Sequence, residues 1–531
     1  MIKIILSFFL CAFYTISVNA QANIDYKSIK YTWYVNNLHP NASDENPGLV
    51  PDKPLLSIEK ALILSKNVAS KIVIFPGTYR NNLNLFSNEL LILEASGTGD
   101  VTISGSDRFK DWQKTDKYYY TDWHYNWGAF EDSSFCFGPC KLDEVQKRRE
   151  ILFIDGENVV QVVSKDSLVE KTFFVDEENN KIILYPPKNI DPNQSLVEIS
   201  TRGYDIYDQG RNGSVVEATV YNSSGLVIKG ITFEHAANIA HQGCLTILNT
   251  NNLLIEDCIF QWNNGVGLEL ENCSNVSIIN SKFQYNGQRG MGIGHGENMV
   301  MKNLEVSYNN WRMNAPKMIA HDAAGIKVFG STKNVILDSI HAHGNYCSAI
   351  WFDWNNENYK IKNSVVENNQ EAGLMLEGSR KPAYVKKCIV RNNGVGIKGY
   401  GHANVMLDSC IVYDNSTQLS LGQDGRIVEQ DDDWEINTQQ WNIFYSKFIA
   451  NNESQEVLSF FEYHNPNVPS TYASTDFFET VKADYNTYYH PTREKIFPDG
   501  HTLNSNNLTL KSWQSITGQD KNSVFTPATS D

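Results

Sequence analysis

Asp353 and Glu377 are the residues best placed to do chemistry. Asp353 stands eight residues past Asn345, and Glu377 stands eight past Asn369. Two carboxyls at one position of successive repeats share a direction. If the repeats are strands stacked about 4.8 Å apart, the carboxyls lie about 5–6 Å apart, near the ~5–5.5 Å of a retaining glycosidase. Side-chain alternation points Ile350 and Phe352 inward with Leu374 and Leu376, and sends Trp351, Asp353, Met375 and Glu377 outward. Like charges this close raise one of the two pKa values, so one group keeps a proton for a leaving oxygen. The neighbours extend the site. Lys327 lies one repeat before Trp351, Lys398 one after Met375, and Tyr400 close to the Glu377 row. Trp351 or Trp354 offers a face on which a sugar ring can stack. His321 and Asp322 precede the Lys327 strand, and His295 sits at the same rim. These eight residues with Trp311 are the expected substrate contacts.

The elements that must hold them repeat. Short alternating segments end at Asn264, Asn286, Asn309, Asn345, Asn369, Asn393 and Asn415, at intervals of 22, 23, 36, 24, 24 and 22. A period of 22–24 with Val, Ile and Phe alternation predicts one coil of a parallel β-helix per repeat. The fold class is therefore all-β, a right-handed parallel β-helix solenoid. The recurring Asn predicts a stacked corner ladder, with Asn itself in the left-handed backbone region. The long interval holds an insertion, Trp311 to Asp322, expected to fold over the carboxylate file as a cleft wall. Leu55 to Ser65 has helical spacing (Leu56, Ile58, Ala61, Leu62, Leu64) and predicts a cap over the first coil.

The division that follows is a signal peptide at 1–20, cap and first coils at 21–105 and an inserted irregular or β subdomain at 106–215. The central β-helix with the catalytic face covers 216–450, and closing coils and cap cover 451–531. Lys3, the apolar run Ile4 to Val18 and the small residues ending at Ala20 form a secretory signal cut after Ala20. A secreted or periplasmic location follows, and no transmembrane segment is expected. The chain has 531 residues, with 61 acidic against 45 basic and a net charge of −16. That balance argues against nucleic acid. Cys136 and Cys140 are an even-odds disulfide, and Cys258, Cys388 and Cys410 read as core residues. No cofactor is expected for hydrolysis. Two alternatives stay open. One is a polysaccharide lyase, with Lys327, Lys398 or His321 as base and Asp353 and Glu377 as calcium ligands. The other is a glycan-binding β-helix without chemistry.

Certain segments carry a resemblance. Tyr34-Val, Asn46-Pro-Gly48, Ser57-Ile-Glu-Lys-Ala and Phe75-Pro-Gly-Thr-Tyr79 resemble the opening of secreted bacterial pectate-lyase-like β-helix proteins. Gly230-Ile-Thr-Phe-Glu-His-Ala-Ala-Asn238, Trp351-Phe-Asp-Trp354 and Leu376-Glu377 resemble the β-helix glycoside hydrolases, among them the β-helix β-xylosidases. The resemblance implies that Asp353 is the nucleophile and Glu377 the acid/base, acting on a polysaccharide or oligosaccharide. Gly378-Ser379 depart from the xylosidase pattern, which leaves the sugar open.

Overall fold

Alternation of apolar and polar residues builds strands, and their register builds the solenoid. The structure is a computed structural model. It describes residues 22–125, 127–129, 142–203, 215–220, 225–313, 322–423, 427–428, 434–435, 438–462, 477–499 and 507–526. The signal segment, the Cys136–Cys140 loop and His321 lie outside the described residues. No helix among the described residues is long and apolar enough to cross a membrane.

One coil shows the plan. Val266–Glu271, Ser274–Ile279 and Lys282–Gln284 run in turn around the core. Each pairs in parallel with its counterpart one coil on: Leu268 with Met291, Val276 with Met299, Phe283 with Val306. Inward positions then stack like on like. Phe233, Phe260 and Phe283 lie 5.0 and 4.9 Å apart, centroid to centroid, in successive coils. Cys258, Cys388 and Cys410 are fully buried members of this core, as expected.

The Asn ladder is present but shifted at its first rung. Asn263 Nδ2 donates to Asn286 Oδ1 at 2.9 Å, and the chain runs on through Asn309, Asn345, Asn369, Asn393 and Asn415. Asn264 instead donates to the Asn238 carbonyl. The backbone expectation is also corrected. The left-handed residue is the one before each ladder Asn: Trp262, Tyr285, Tyr308, Gly344, Asn368, Asn392 and Asp414 have φ between 48° and 65°. That turn aims the following amide into the corner, where it satisfies buried backbone.

The helix Ile58–Ser65 caps the first coil. Ser57 Oγ accepts from the Lys60 N–H, and Ile58, Ala61 and Leu62 are buried, while Leu56 is exposed. After Val101–Ser104 the chain leaves the solenoid. It forms a mixed sheet from Ser106–Phe109 to Val197–Ser200 with its own core around Trp123 and Phe173. It rejoins at Val216–Val220, which pairs with Leu83–Ser87 as though nothing intervened. At the far end the helix Leu510–Thr517 buries Trp513.

Candidate active site

Every coil contributes one strand to the site face, so outward residues form columns parallel to the solenoid axis. One column reads Thr246, Glu269, Gly292, Lys327, Trp351, Met375, Lys398, Ser420, Ser459. In the next, Glu377 pairs with Tyr400. Asp353 follows the last ladder pair of its strand, Phe352 with Leu376. It keeps the parallel bond pattern, its N–H donating to Val328 O at 2.8 Å. Trp354 and Asn355 then turn the chain with φ of 59° and 60°. The two carboxyls thus sit on consecutive coils, as the counting from the Asn corner predicts.

Their surroundings differ. Lys327, 3% exposed, reaches Asp353 Oδ2 at 2.9 Å and also pairs with Asp322. Its ammonium lies 3.6 Å from the centroid of the Trp351 ring. The same indole donates through Nε1 to Glu377 Oε2 at 3.0 Å. Asp353 therefore faces a cation, and one contact of Glu377 is a neutral donor. Trp351 separates the two, its face taken by Lys327 and its edge by Glu377. Glu377 is 6% exposed.

Three further residues were not legible in the sequence. Arg289 donates to the Asp322 carbonyl at 2.8 Å and to its carboxylate. His241 Nδ1 lies 2.9 Å from both Arg289 and Asp322. Burial, with the Arg289 charge, keeps His241 below the usual histidine pKa against the pull of Asp322. Burial works against ionisation of Asp322, but Arg289, His241 and Lys327 outweigh it and hold its carboxyl well below the ordinary range. The third is Glu269, 8% exposed, whose Oε2 meets no donor. Burial pushes it up to about 7, against Arg289 3.8 Å away. Gly292 leaves the space for that carboxyl, since a Cβ there would fall 2.0 Å from Glu269 Oε2. Arg289 had one sequence signal. It stands where the adjoining coils carry Val266 and Ala324, a large cation in a column of small residues.

The other expected contacts divide. Asp322 joins the cluster. Trp354 packs beside Gly378 at the turn after Asp353. Lys398 sits over Tyr400 and Phe461, 5.7 and 5.9 Å from their centroids, on the coil beyond Glu377. His295 is exposed and bonded to Glu271 Oε1 at 2.6 Å, in coils before the pair. Trp311 lies edge-on to Trp262, at the corner where the inserted sheet docks. Of the insertion, the described residues are Trp311 to Met313 and Asp322, and they occupy different places: Trp311 the corner, Asp322 the carboxylate column.

Known proteins show the same architecture. A family model described as "Right handed beta helix region" matches residues 243–417. The structure of XylC in complex with xylose superposes with a TM-score of 0.62 at 14% identity, covering 94% of this chain and 86% of that one. The Azotobacter vinelandii mannuronan C-5 epimerase AlgE6 A-module overlaps with a TM-score of 0.49 at 12% identity, over 94% and 99% of the two chains. Pectate lyase Pel9A gives 0.41 at 13% identity, over 86% and 84%. No curated protein sequence matches this one. On its own register, on the family model and on the likeness to XylC, the chain is a right-handed parallel β-helix.

Proposed function

We propose that this protein is a secreted glycoside hydrolase that retains anomeric configuration, with Asp353 as nucleophile and Glu377 as acid/base. The observation that carries the reading is the split environment of the pair. Asp353 is ion-paired to Lys327 at 2.9 Å, and Glu377 accepts from the uncharged Trp351 indole at 3.0 Å. A nucleophile must be an anion, and an ammonium favours one. A leaving-group acid must deliver a proton, and Glu377, one coil on from the ion-paired Asp353, is the carboxyl left for that role. The outer end of Trp351 leaves an aromatic surface beside both carboxyls for a sugar ring.

Elimination fits less well. A lyase needs an unengaged base and a cation to neutralise a uronate. Lys327 and Arg289 are both engaged by Asp322, and Lys327 by Asp353 as well, while Lys398 lies over Tyr400 and Phe461 on the coil beyond Glu377. Among the described residues no three His, Cys, Asp or Glu side chains gather as a metal site requires. The fold shared with XylC, a protein seen with xylose, supports a neutral pyranoside as the first substrate to try. The signal segment Met1 to Ala20 supports action outside the cytoplasm.

Product analysis tests the reading. Purified protein lacking residues 1–20 should release new reducing ends from a xylo-oligosaccharide or an aryl glycoside. An ultraviolet-absorbing unsaturated sugar would replace this reading by a lyase, and binding without any product would replace it by a lectin-like role.

A further inference from the structure

A cavity of about 370 Å³ lies away from the carboxylates, between the inserted sheet and the coil corner. Its solenoid wall is Trp262, Tyr285, Trp311, Arg312 and Tyr346, and Gln161 faces them from the inserted sheet. Trp262 and Tyr285 stack at 4.4 Å and 4°, and Tyr308 continues the stack at 4.9 Å.

These aromatics occupy an unfavourable backbone position. Trp262, Tyr285 and Tyr308 have φ of 52°, 53° and 55°. The same corner place in later coils holds Gly344, Asn368, Asn392 and Asp414, the types that adopt left-handed backbone most readily. Bulky residues are disfavoured there. Docking of the inserted sheet accounts for part of this, because Phe153 packs edge-on to Trp262 at 5.7 Å. It does not account for Tyr285, which lines the open cavity. Two donors in the wall, Trp311 Nε1 and Arg312 Nε, meet no acceptor. The other Arg312 nitrogens are fixed by Glu150 O at 2.8 Å, Val145 O at 3.3 Å and Gln161 Oε1 at 3.4 Å, so the guanidinium is rigidly placed.

Aromatic surface beside the polar side chains of Gln161 and Arg312 suits a pyranose, which offers apolar C–H faces and hydroxyl oxygens together. The cavity reaches the coil of Asp353 through Tyr346. Tyr346 precedes Asp353 by seven residues, on the order of 20 Å of strand. We propose that this cavity is a remote binding site for a neutral pyranose unit, engaging the far end of a chain whose other end is cleaved at Asp353 and Glu377. The proposal rests on the glycosidase reading for its second half only; the binding half stands alone.

The test separates the two halves. Full-length mature protein carrying Glu377→Gln is titrated with xylohexaose, cellohexaose and mannohexaose, with tryptophan fluorescence and calorimetry as readouts. Trp311→Ala removes part of the wall. Val160→Arg, at an exposed rim position, fills the mouth and removes no wall residue. Both should weaken hexaose binding about tenfold or more, and Val160→Arg should leave turnover of an aryl monoglycoside unchanged in protein that keeps Glu377. Hexaose binding that depends on the cavity, without hydrolysis of any glycoside, would support the remote site and sink the catalytic reading. Unaltered hexaose affinity in both variants, or no hexaose binding at all, would overturn the proposal.

Discussion

Two files of side chains run along the same coils and follow opposite rules. At the corner the residue is Asn six times in a row from Asn286 to Asn415, each amide bonded to the next. On the site face, over the coils around the carboxyl pair, no two neighbours match: Glu269, Gly292, Lys327, Trp351, Met375, Lys398. A stacked solenoid needs the same backbone satisfaction in every coil, so the structural file repeats. Chemistry needs unlike groups side by side, so the functional file does not. In a repeat protein, loss of repetition at a fixed position marks function.

The contrast predicts two kinds of damage. Asp353→Asn and Glu377→Gln should each leave melting unchanged and lower turnover by orders of magnitude, since a positioned acid or base alone contributes about 10²–10⁴-fold. They should differ in kind. The Glu377 variant should still attack a substrate with an excellent leaving group and should be rescued by azide. The Asp353 variant should gain from neither. Full activity in both, measured on the true substrate, would move the chemistry to Lys327 and its partners.

Asn369→Ala should do the reverse. It removes the acceptor of the Asn345 N–H and side-chain amide, and the donor to Ala342 O, Glu367 O and Asn393 Oδ1. Orphaning such buried groups should cost about 2–4 kcal/mol of unfolding free energy, read by denaturant melts, with the anomeric outcome of the reaction unaltered. A neutral effect on stability would mean the ladder is ornamental.

The smallest expected effect lies at Glu269. Its pKa in the fold is raised from 4.5 to about 7. Protons are thus held more tightly in the native state, and the stability this adds is full below about 4.5 and lost as pH rises through about 7. Asp322, held low, acts oppositely and loses its contribution as pH falls. Glu269→Gln should flatten the decline between pH 4.5 and 7 and leave the acid limb to Asp322. An unchanged profile of melting temperature against pH would remove Glu269 from the account.

The period, the solenoid and the inner core were legible because each coil states them again. Asp353, Glu377, Lys327 and Trp351 were legible by the same counting. The first ladder rung was misread because Asn263 and Asn264 are adjacent and either satisfies a period near 22. The αL residue was misplaced because Trp262, Tyr285 and Tyr308 are poor αL formers, so residue type pointed to the neighbouring Asn instead. Arg289, His241 and Glu269 stayed hidden because their contacts cross coils. Arg289 meets Asp322 33 residues on and His241 48 back. The insertion before Asp322 also breaks the count that would have aligned it.

The central claim is that two carboxyls one coil apart perform double displacement. Proton NMR of the first-formed sugar, taken during hydrolysis of an aryl β-glycoside before mutarotation, tests it most directly. Carboxyls on strands about 4.8 Å apart suit the short separation of a retaining pair, so a β product is expected. An α product would show that water attacks directly and that Asp353 is not the nucleophile.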